Sequence, residues 1–153
     1  MLMGAQYIQI GNGTVLGKHI QLTARCVNAN TPSIIIGDDC LIREGSHITA
    51  INSIRIGNHL LTGTNVLITD NSHGSSTPED MCVPPVKRSL HSKGPVVIGN
   101  NVWLGNNVCV MPGVTIGDGA IIGANSIITH DIPAFCVAVG IPANVIKEPD
   151  KDI

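Results

Sequence analysis

A six-residue period runs through the C-terminal half of the chain and restricts its fold more than any other feature. From residue 98 the sequence divides into IGNNVW, LGNNVC, VMPGVT, IGDGAI and IGANSI. The first place of each hexad holds an aliphatic residue, and the fifth place holds a small or β-branched one. Neither the helical period of about 3.6 nor the strand period of 2 produces this spacing.

A period of six with glycine at the second place is typical of a parallel β-helix. Each hexad supplies one short strand and one turn, which form one side of a triangular coil. The first residue fills the interior, and the fifth lies beside it near the corner. The glycine either relieves crowding or permits a backbone conformation that a Cβ would make costly. Stacked coils then form aliphatic columns too narrow for aromatic rings, in agreement with an aromatic content of 2%.

The same period fits the N-terminal half in shifted registers, over residues 10–27, 36–47 and 56–69. Three hexads complete a coil, so we expect about five or six coils. The sequence therefore predicts one all-β solenoid domain over residues 1–153. An excursion loop is expected at about 70–95, and a closing C-terminal segment at about 131–153.

Composition excludes several classes of protein. The chain is 43% hydrophobic and 13% charged, which argues against disorder. A net charge of −2 without a basic run argues against nucleic-acid binding. The N-terminus lacks the pattern of a signal peptide, and no stretch reaches about 18 apolar residues, so we expect a cytoplasmic protein without membrane insertion. Five cysteines without a CxxC pair are expected to be reduced and mostly structural, with Cys26 and Cys40 at inward places.

The repeat is broken once over a long distance, by the segment at about 70–95. It begins within TDNSHGSS, residues 69–76, a polar run that contains Asp70, Asn71 and His73. Long loops inside compact domains are uncommon and usually functional or disordered. A solenoid provides rigidity and presents function on its loops, so this segment is the first place to look for a site.

Residues 96–147, from VVIGNNVWLG to GIPANVIK, together with the histidine-bearing loop, resemble the left-handed β-helix O-acetyltransferases. These include galactoside, maltose and surface-polysaccharide acetyltransferases. The resemblance covers nearly the whole chain and implies left-handed winding, an exception to the usual right-handed crossover. It also implies a homotrimer with active sites between subunits, acetyl-CoA lying along the coils, and no metal requirement. The hexads begin by Ile10, without the N-terminal helical segment of the galactoside and maltose enzymes, which favours a surface-polysaccharide acceptor.

Acetyl transfer to a hydroxyl needs a base, and imidazole has a suitable pKa. Of the six histidines, His73 matches the catalytic loop histidine of that family. Asp70 and Asn71 either orient its ring, line the acceptor pocket, or serve as Asx-turn residues at the strand exit. Arg88 and His91, on the same loop, either contact the acceptor or a neighbouring subunit, or are solvated.

The resemblance also implies a path for CoA. Trp103, at the non-interior sixth place of its hexad, either packs in the trimer or lies beside the thiol end of CoA. The turn at Gly105 and Asn106 matches the position whose backbone N–H groups stabilise the negative thioester oxygen. Ala124 and Thr129 match places along the pantetheine arm.

The phosphate end of that path departs from the family pattern. Family members often have lysine where this chain has His130 and Asn144. Lys147 is then the remaining basic candidate for the CoA phosphates.

Other functions fit the sequence less well. A γ-class carbonic anhydrase on this fold needs two histidines five residues apart, whereas the nearest pair here, His47 and His59, is twelve apart. A non-catalytic scaffold would explain the repeat but not His73, the loop and Trp103 together. Serine or an antibiotic would be a different acceptor on the same framework. The sequence thus predicts an acetyl-CoA-dependent O-acetyltransferase for a sugar hydroxyl of lipopolysaccharide, capsule or a precursor.

Overall fold

The structure is a computed structural model that describes residues 1–25 and 33–149. It consists of short strands joined by tight turns. The strands before the break in the repeat are β1 (Leu2–Met3), β2 (Ile8–Ile10), β3 (Val15–Leu16), β4 (Gln21–Ala24), β5 (Ile34–Ile36), β6 (Leu41–Ile42), β7 (His47–Ala50), β8 (Ile54–Ile56), β9 (Leu61–Thr62) and β10 (Leu67–Thr69). Those that follow are β11 (Ser72–His73), β12 (Leu90–His91), β13 (Val96–Ile98), β14 (Trp103–Leu104), β15 (Cys109–Val110), β16 (Thr115–Ile116), β17 (Ile121–Ile122), β18 (Ile127–Ile128), β19 (Val137–Gly140) and β20 (Ala143–Lys147).

Three parallel sheets form the sides of the β-helix. Sheet A has the order β1-β4-β7-β10-β15-β18, sheet B β2-β5-β8-β13-β16, and sheet C β3-β6-β9-β14-β17-β19-β20. The chain passes from sheet B to sheet C to sheet A in each coil, and five such coils are complete in the described residues. We name the corners AB, BC and CA after the sheets they join. The antiparallel hairpin of β19 and β20 ends sheet C.

The interior is filled by the first and fifth places of the hexads, as expected. Leu104 and Ile116, at first places, are 0% exposed, and Val108 at a fifth place is also 0% exposed. No aromatic side chain is among the buried core residues that the structure describes; Trp103 and Phe135 are 50% and 64% exposed. Cys40 is buried at an inward place as predicted, while Cys26 lies outside the described residues.

The structure decides between the two explanations for the second-place glycine. A Cβ on Gly105 would lie 2.6 Å from the backbone nitrogen of Ala124 in the next coil, and Gly105 does not have a positive φ. The left-handed conformation falls instead on the fourth place, where Asn101 and Asn107 both have a φ of 57°. Close packing of coils is therefore the reason for the glycine, and the turn conformation is the reason for the asparagines.

Carboxylate and carboxamide oxygens at the third place join successive coils at corner BC. The backbone N–H of Asp38 donates to Oδ1 of Asn58 at 2.9 Å, and that of Asn58 donates to Oδ1 of Asn100 at 2.9 Å. The N–H of Asn100 in turn donates to Oδ1 of Asp118 at 2.6 Å. Each side chain thus accepts a backbone N–H from a turn of the preceding coil, which lies outside the strand pairing and would otherwise lack a partner.

Between β10 and β13 the chain leaves the coils and returns in register. β10 pairs with β15 so that Leu67 lies opposite Cys109, 42 residues on, whereas Cys109 lies opposite Ile127, only 18 residues on. The intervening segment contains the antiparallel pair β11–β12 and the single-turn helix α1 (Pro78–Met81). The Thr77 hydroxyl caps α1 by accepting the N–H of Asp80 at 3.4 Å.

Candidate active site

Asp70 begins the segment at corner AB, directly after β10. It is 0% exposed, and its Oδ1 and Oδ2 accept the backbone N–H groups of Ile51 at 2.9 Å and of Asn52 at 2.8 Å. These amides belong to the turn that follows β7, one coil away. The carboxylate therefore fastens the strand exit to the preceding coil, and its partners lie in that coil rather than two residues on, as an Asx turn would require.

Asn71 continues this anchoring while keeping part of its side chain accessible. Its Nδ2 donates to the carbonyl of Thr49 at 3.1 Å and to Oδ1 of Asp70 at 3.1 Å. The Thr69 hydroxyl accepts the N–H of Asn71 at 3.1 Å. The path of the chain out of the coil is thus determined by side-chain bonds over three consecutive residues.

His73 follows on β11 with an exposed side chain. β11 pairs with β12, so that His73 lies opposite Leu90 and Ser72 lies opposite His91. Directly opposite residues of an antiparallel pair share one face of the ribbon. His73 and Leu90 therefore share a face, and His91 lies on the other one.

The rest of the segment is held together by Asp80 and Arg88. Oδ2 of Asp80 accepts the hydroxyl and the N–H of Ser75, the latter at 2.6 Å. The hydroxyl bond above all, followed by the backbone bond, lowers the pKa of the Asp80 carboxyl. Arg88 donates from Nε to the carbonyl of Val83 at 2.7 Å and from Nη2 to that of Met81 at 3.3 Å. Arg88, which was predicted to contact the sugar acceptor or a neighbouring subunit or to be solvated, thus donates hydrogen bonds to carbonyls of its own segment.

Corner CA carries four of the predicted CoA residues. Trp103 is the first residue of β14, Gly105 and Asn106 form the turn after this strand, and Ala124 occupies the equivalent turn of the next coil. Beside Trp103 and Asn106 lies a cavity of about 310 Å³, whose walls include Arg43 and Thr64. The structure therefore brings together Trp103, Gly105, Asn106 and Ala124, and their role in binding CoA stays a prediction.

The two backbone N–H groups predicted to stabilise an oxyanion are not equivalent. The N–H of Gly105 donates to the carbonyl of Ile122 at 2.8 Å and is committed to the coil. The Oδ1 of Asn106 accepts the N–H of Thr64 at 3.0 Å. Its own N–H has no acceptor among residues 1–25 and 33–149, because the next coil has Ala124 where a carboxamide would accept. The Asn106 N–H is the available donor.

The remaining predicted residues lie elsewhere on the surface. Thr129 and His130 follow β18 at corner AB, and the Thr129 hydroxyl lies 3.3 Å from Nδ1 of His130. Lys147 is exposed on β20. It lies on the same row of sheet C as Trp103, because Trp103 pairs with Ile121, Ile121 with Val137, and Val137 with Lys147.

His73 and Trp103 lie near different corners of the β-helix. Corner AB, which carries His73, is separated from corner CA by the whole of sheet A. With six residues per side and a rise of about 3.3 Å per residue, that separation is up to about 20 Å. The two groups of predicted residues are thus carried by different corners of the β-helix.

Two features of the site went unnoticed in the sequence. One is the buried carboxylate of Asp70, whose partners Ile51 and Asn52 follow a different strand. The other is that, of the two N–H groups predicted for the turn, only that of Asn106 lacks an acceptor among the described residues. Its signal was present, because alanine stands at position 124 whereas position 106, one coil earlier, holds asparagine.

A model of the bacterial transferase hexapeptide (six repeats) matches residues 95–130. The chain is 42% identical over 119 residues to the putative lipopolysaccharide biosynthesis O-acetyl transferase WbbJ of Escherichia coli (strain K12), covering 75% of this chain and 60% of that protein. The solved maltose O-acetyltransferase from Clostridium difficile 630 is 32% identical, with a TM-score of 0.63, covering 92% of this chain and 71% of that one. A galactoside acetyltransferase solved in complex with coenzyme A is 29% identical, with a TM-score of 0.61, covering 90% and 65% of the two chains.

The chain belongs to the hexapeptide-repeat acetyltransferase family, and its fold is the left-handed parallel β-helix that the sequence predicted. It spans 60% of the length of the curated relative WbbJ. Among the described residues, no helix has the length and apolar character needed to cross a membrane.

Proposed function

We propose that the protein is an acetyl-CoA-dependent O-acetyltransferase that acts in the cytoplasm on a sugar hydroxyl of a surface polysaccharide or its precursor. The observation that carries the proposal is His73, an exposed imidazole on a paired strand whose exit from the coil is fastened by Asp70. The 42% identity to a putative lipopolysaccharide O-acetyl transferase favours a glycan acceptor over serine or an antibiotic.

His73 acts as the general base. Its neutral imidazole accepts the proton of the acceptor hydroxyl while the hydroxyl oxygen forms a bond to the acetyl carbonyl carbon. As the thioester carbon–sulfur bond breaks, the imidazolium returns the proton to the departing CoA sulfur. Transfer is direct, so no acyl-enzyme and no metal takes part.

Corner CA supports the donor. The N–H of Asn106 stabilises the thioester oxygen as it becomes negative, and Gly105, which has no side chain, keeps the approach open. Trp103 covers the thiol arm of CoA. Lys147 lies three strand spacings from Trp103 on sheet C, about 14 Å away, in reach of the CoA phosphates.

The separation of the two corners supports a site between subunits of a homotrimer. His73 of one subunit meets Trp103 and Asn106 of a neighbour. The outer face of sheet C supports such a partner surface, because an apolar column runs along it in register through Val15, Leu41, Leu61 and Trp103. These four side chains are 56%, 40%, 41% and 50% exposed, which is costly on a surface that contacts nothing.

Turnover of acetyl-CoA with a panel of sugars and nucleotide sugars tests the proposal. We expect His73→Ala to lower turnover by roughly 10²- to 10⁴-fold. CoA binding, followed by the fluorescence of the single tryptophan Trp103, should stay unchanged. His59→Asn is the matched control, because His59 is exposed at corner BC with a φ of 60° that asparagine tolerates. Wild-type turnover in His73→Ala, or no response of Trp103 to CoA, would contradict the proposal.

A further inference from the structure

A second cavity, of about 570 Å³, lies at corner AB and belongs to none of the roles assigned above. The 3-10 turn at Ala5–Tyr7 and the end of β4 form one side, and the turn after β7 and β12 form the other. Its walls consist of Met3, Gly4, Gln6, Tyr7, Ala24, Arg25, Ile51, Ser89 and Leu90.

This cavity lies next to the proposed base. Leu90, which forms part of the wall, is the cross-strand partner of His73, and directly opposite side chains lie on the same face of a ribbon. Ile51, another wall residue, donates its N–H to Oδ1 of Asp70 at 2.9 Å. The anchored exit of the segment thus joins the cavity to the strand that carries the imidazole.

The charge in the cavity has one sign. Among the residues that the structure describes, Arg25 is the only charged one in the wall, and none of the aspartates or glutamates described lines it. Within the described residues the single ion pair is Arg43 with Glu44, so no carboxylate there lies within 4.0 Å of the Arg25 guanidinium. Gln6, Tyr7 and Ser89 add neutral hydrogen-bonding groups. A guanidinium among neutral polar groups suits the oxygens of a phosphate.

The volume exceeds that of one sugar. A hexose has about twelve non-hydrogen atoms, each smaller than a water molecule with its share of about 30 Å³, so it occupies less than about 360 Å³. The cavity therefore has room for a hexose and for a group attached to it.

We propose that this cavity binds the acceptor, and that Arg25 pairs with a phosphate attached to the sugar. The substrate class is then a glycosyl phosphate or diphosphate rather than a neutral free sugar. This inference rests on the proposed acetyltransferase function. A nucleotide and a lipid carrier both present such a diphosphate, and the guanidinium recognises the part that they share.

The test uses one sugar, chosen from the panel as an accepted one, in four forms: methyl glycoside, 1-phosphate, nucleotide diphosphate and short-chain polyprenyl diphosphate. We expect the phosphorylated forms to have the lower KM. Arg25→Gln should raise KM for those forms by about 10- to 100-fold and for the methyl glycoside by less than about twofold. Arg55→Gln, which removes an exposed arginine from the outer face of sheet B, should change neither the KM for the phosphorylated forms nor that for the methyl glycoside.

The outcomes are distinct. A lower KM for either diphosphate form together with its loss in Arg25→Gln supports the inference, and the higher kcat/KM of the two identifies the carrier. Equal KM values for charged and neutral forms, or an equal effect of Arg25→Gln on both, would overturn it. Arg25 is exposed, so the variant should fold, which unchanged CoA titration of Trp103 would verify. Absence of transfer to every acceptor by the wild-type protein would refute the proposed function instead.

Discussion

In the coils, side chains such as Leu104 and Ile116 have no exposed surface, and strands pair with strands of neighbouring coils on both sides. Between residues 71 and 95, Gly74 is the only buried residue, and the chain is held by the bonds of Asn71, Asp80 and Arg88. The coils are therefore stabilised by repeated apolar burial, and the segment by a few specific polar contacts.

This difference separates stability from chemistry along the chain. A coil residue is packed against residues one coil above and below it, so a change in the interior affects the whole tube. A residue of the segment contacts few others, so a change there should affect the position of His73 and leave the tube intact. Four predictions examine this division, from the largest effect to the smallest.

Removal of a coil side chain should cost the most. Leu104→Ala leaves a cavity at a position that is 0% exposed, and we expect the free energy of unfolding to fall by about 2–5 kcal/mol. Val86→Ala, at a segment position that is 84% exposed, should change it by less than about 0.5 kcal/mol. Denaturant unfolding of both variants measures the contrast. Equal losses would show that the segment is part of the cooperative core.

A coil position can also carry chemistry, and Asn106→Pro isolates that contribution. Proline removes the unpaired N–H, and the turn accepts it because Pro112 occupies the same third place one hexad on. We expect kcat to fall about 10²- to 10³-fold relative to Asn106→Ala, which loses the side chain but keeps the N–H. Similar kcat values for the two variants would exclude the N–H as the oxyanion donor.

Asp70 joins the two regions, so its substitution should affect both stability and turnover. In Asp70→Asn an amide group replaces one of two acceptor oxygens, leaving a buried backbone N–H unpaired at a cost of about 1–3 kcal/mol. Turnover should fall because His73 loses its fixed position. Asp118→Asn, whose bond at corner BC is exposed, is the control and should have the smaller effect on stability and none on turnover. An unaltered turnover in Asp70→Asn would show that the bonds of Asp70 do not position His73.

The smallest effect concerns pH. The pKa of Asp80 is lowered in the folded protein, so its ionised form stabilises the segment above the ordinary pKa of 3.8. That stabilisation is lost as the pH falls through the lowered pKa. The difference in Tm between the wild-type protein and Asp80→Asn should therefore be small and positive near neutral pH and should vanish once the pH falls below the lowered pKa. A difference that persists at low pH would contradict the role of the carboxylate.

The tube was predictable because its rules are local. First-place residues such as Ile98 and Leu104 follow from the spacing alone. The glycine at the second place is also visible in the spacing, whereas the close approach that requires it at Gly105 is shown by the structure. The position of the long break was also visible, because a polar run replaces the hexads after Thr69.

The polar details depend on which coil lies next to which. The two amides bound by Asp70 come from residues 51 and 52, and only the stacking register brings them to it. The unpaired N–H of Asn106 depends in the same way on Ala124 in the next coil. The cavity around Arg25 forms only when the N-terminal turn, two successive coils at corner AB and β12 come together in space. No sequence pattern records these juxtapositions.

We propose that His73 at corner AB of one subunit works with corner CA of another. Coexpression of His73→Ala and Asn106→Pro with different tags, followed by sequential affinity steps, isolates mixed assemblies. In a cyclic trimer each mixed assembly regains one intact site of three, so turnover should rise to about a third of the wild-type value, far above that of either parent. Mixed assemblies that are no more active than their parents would contradict a site shared between subunits.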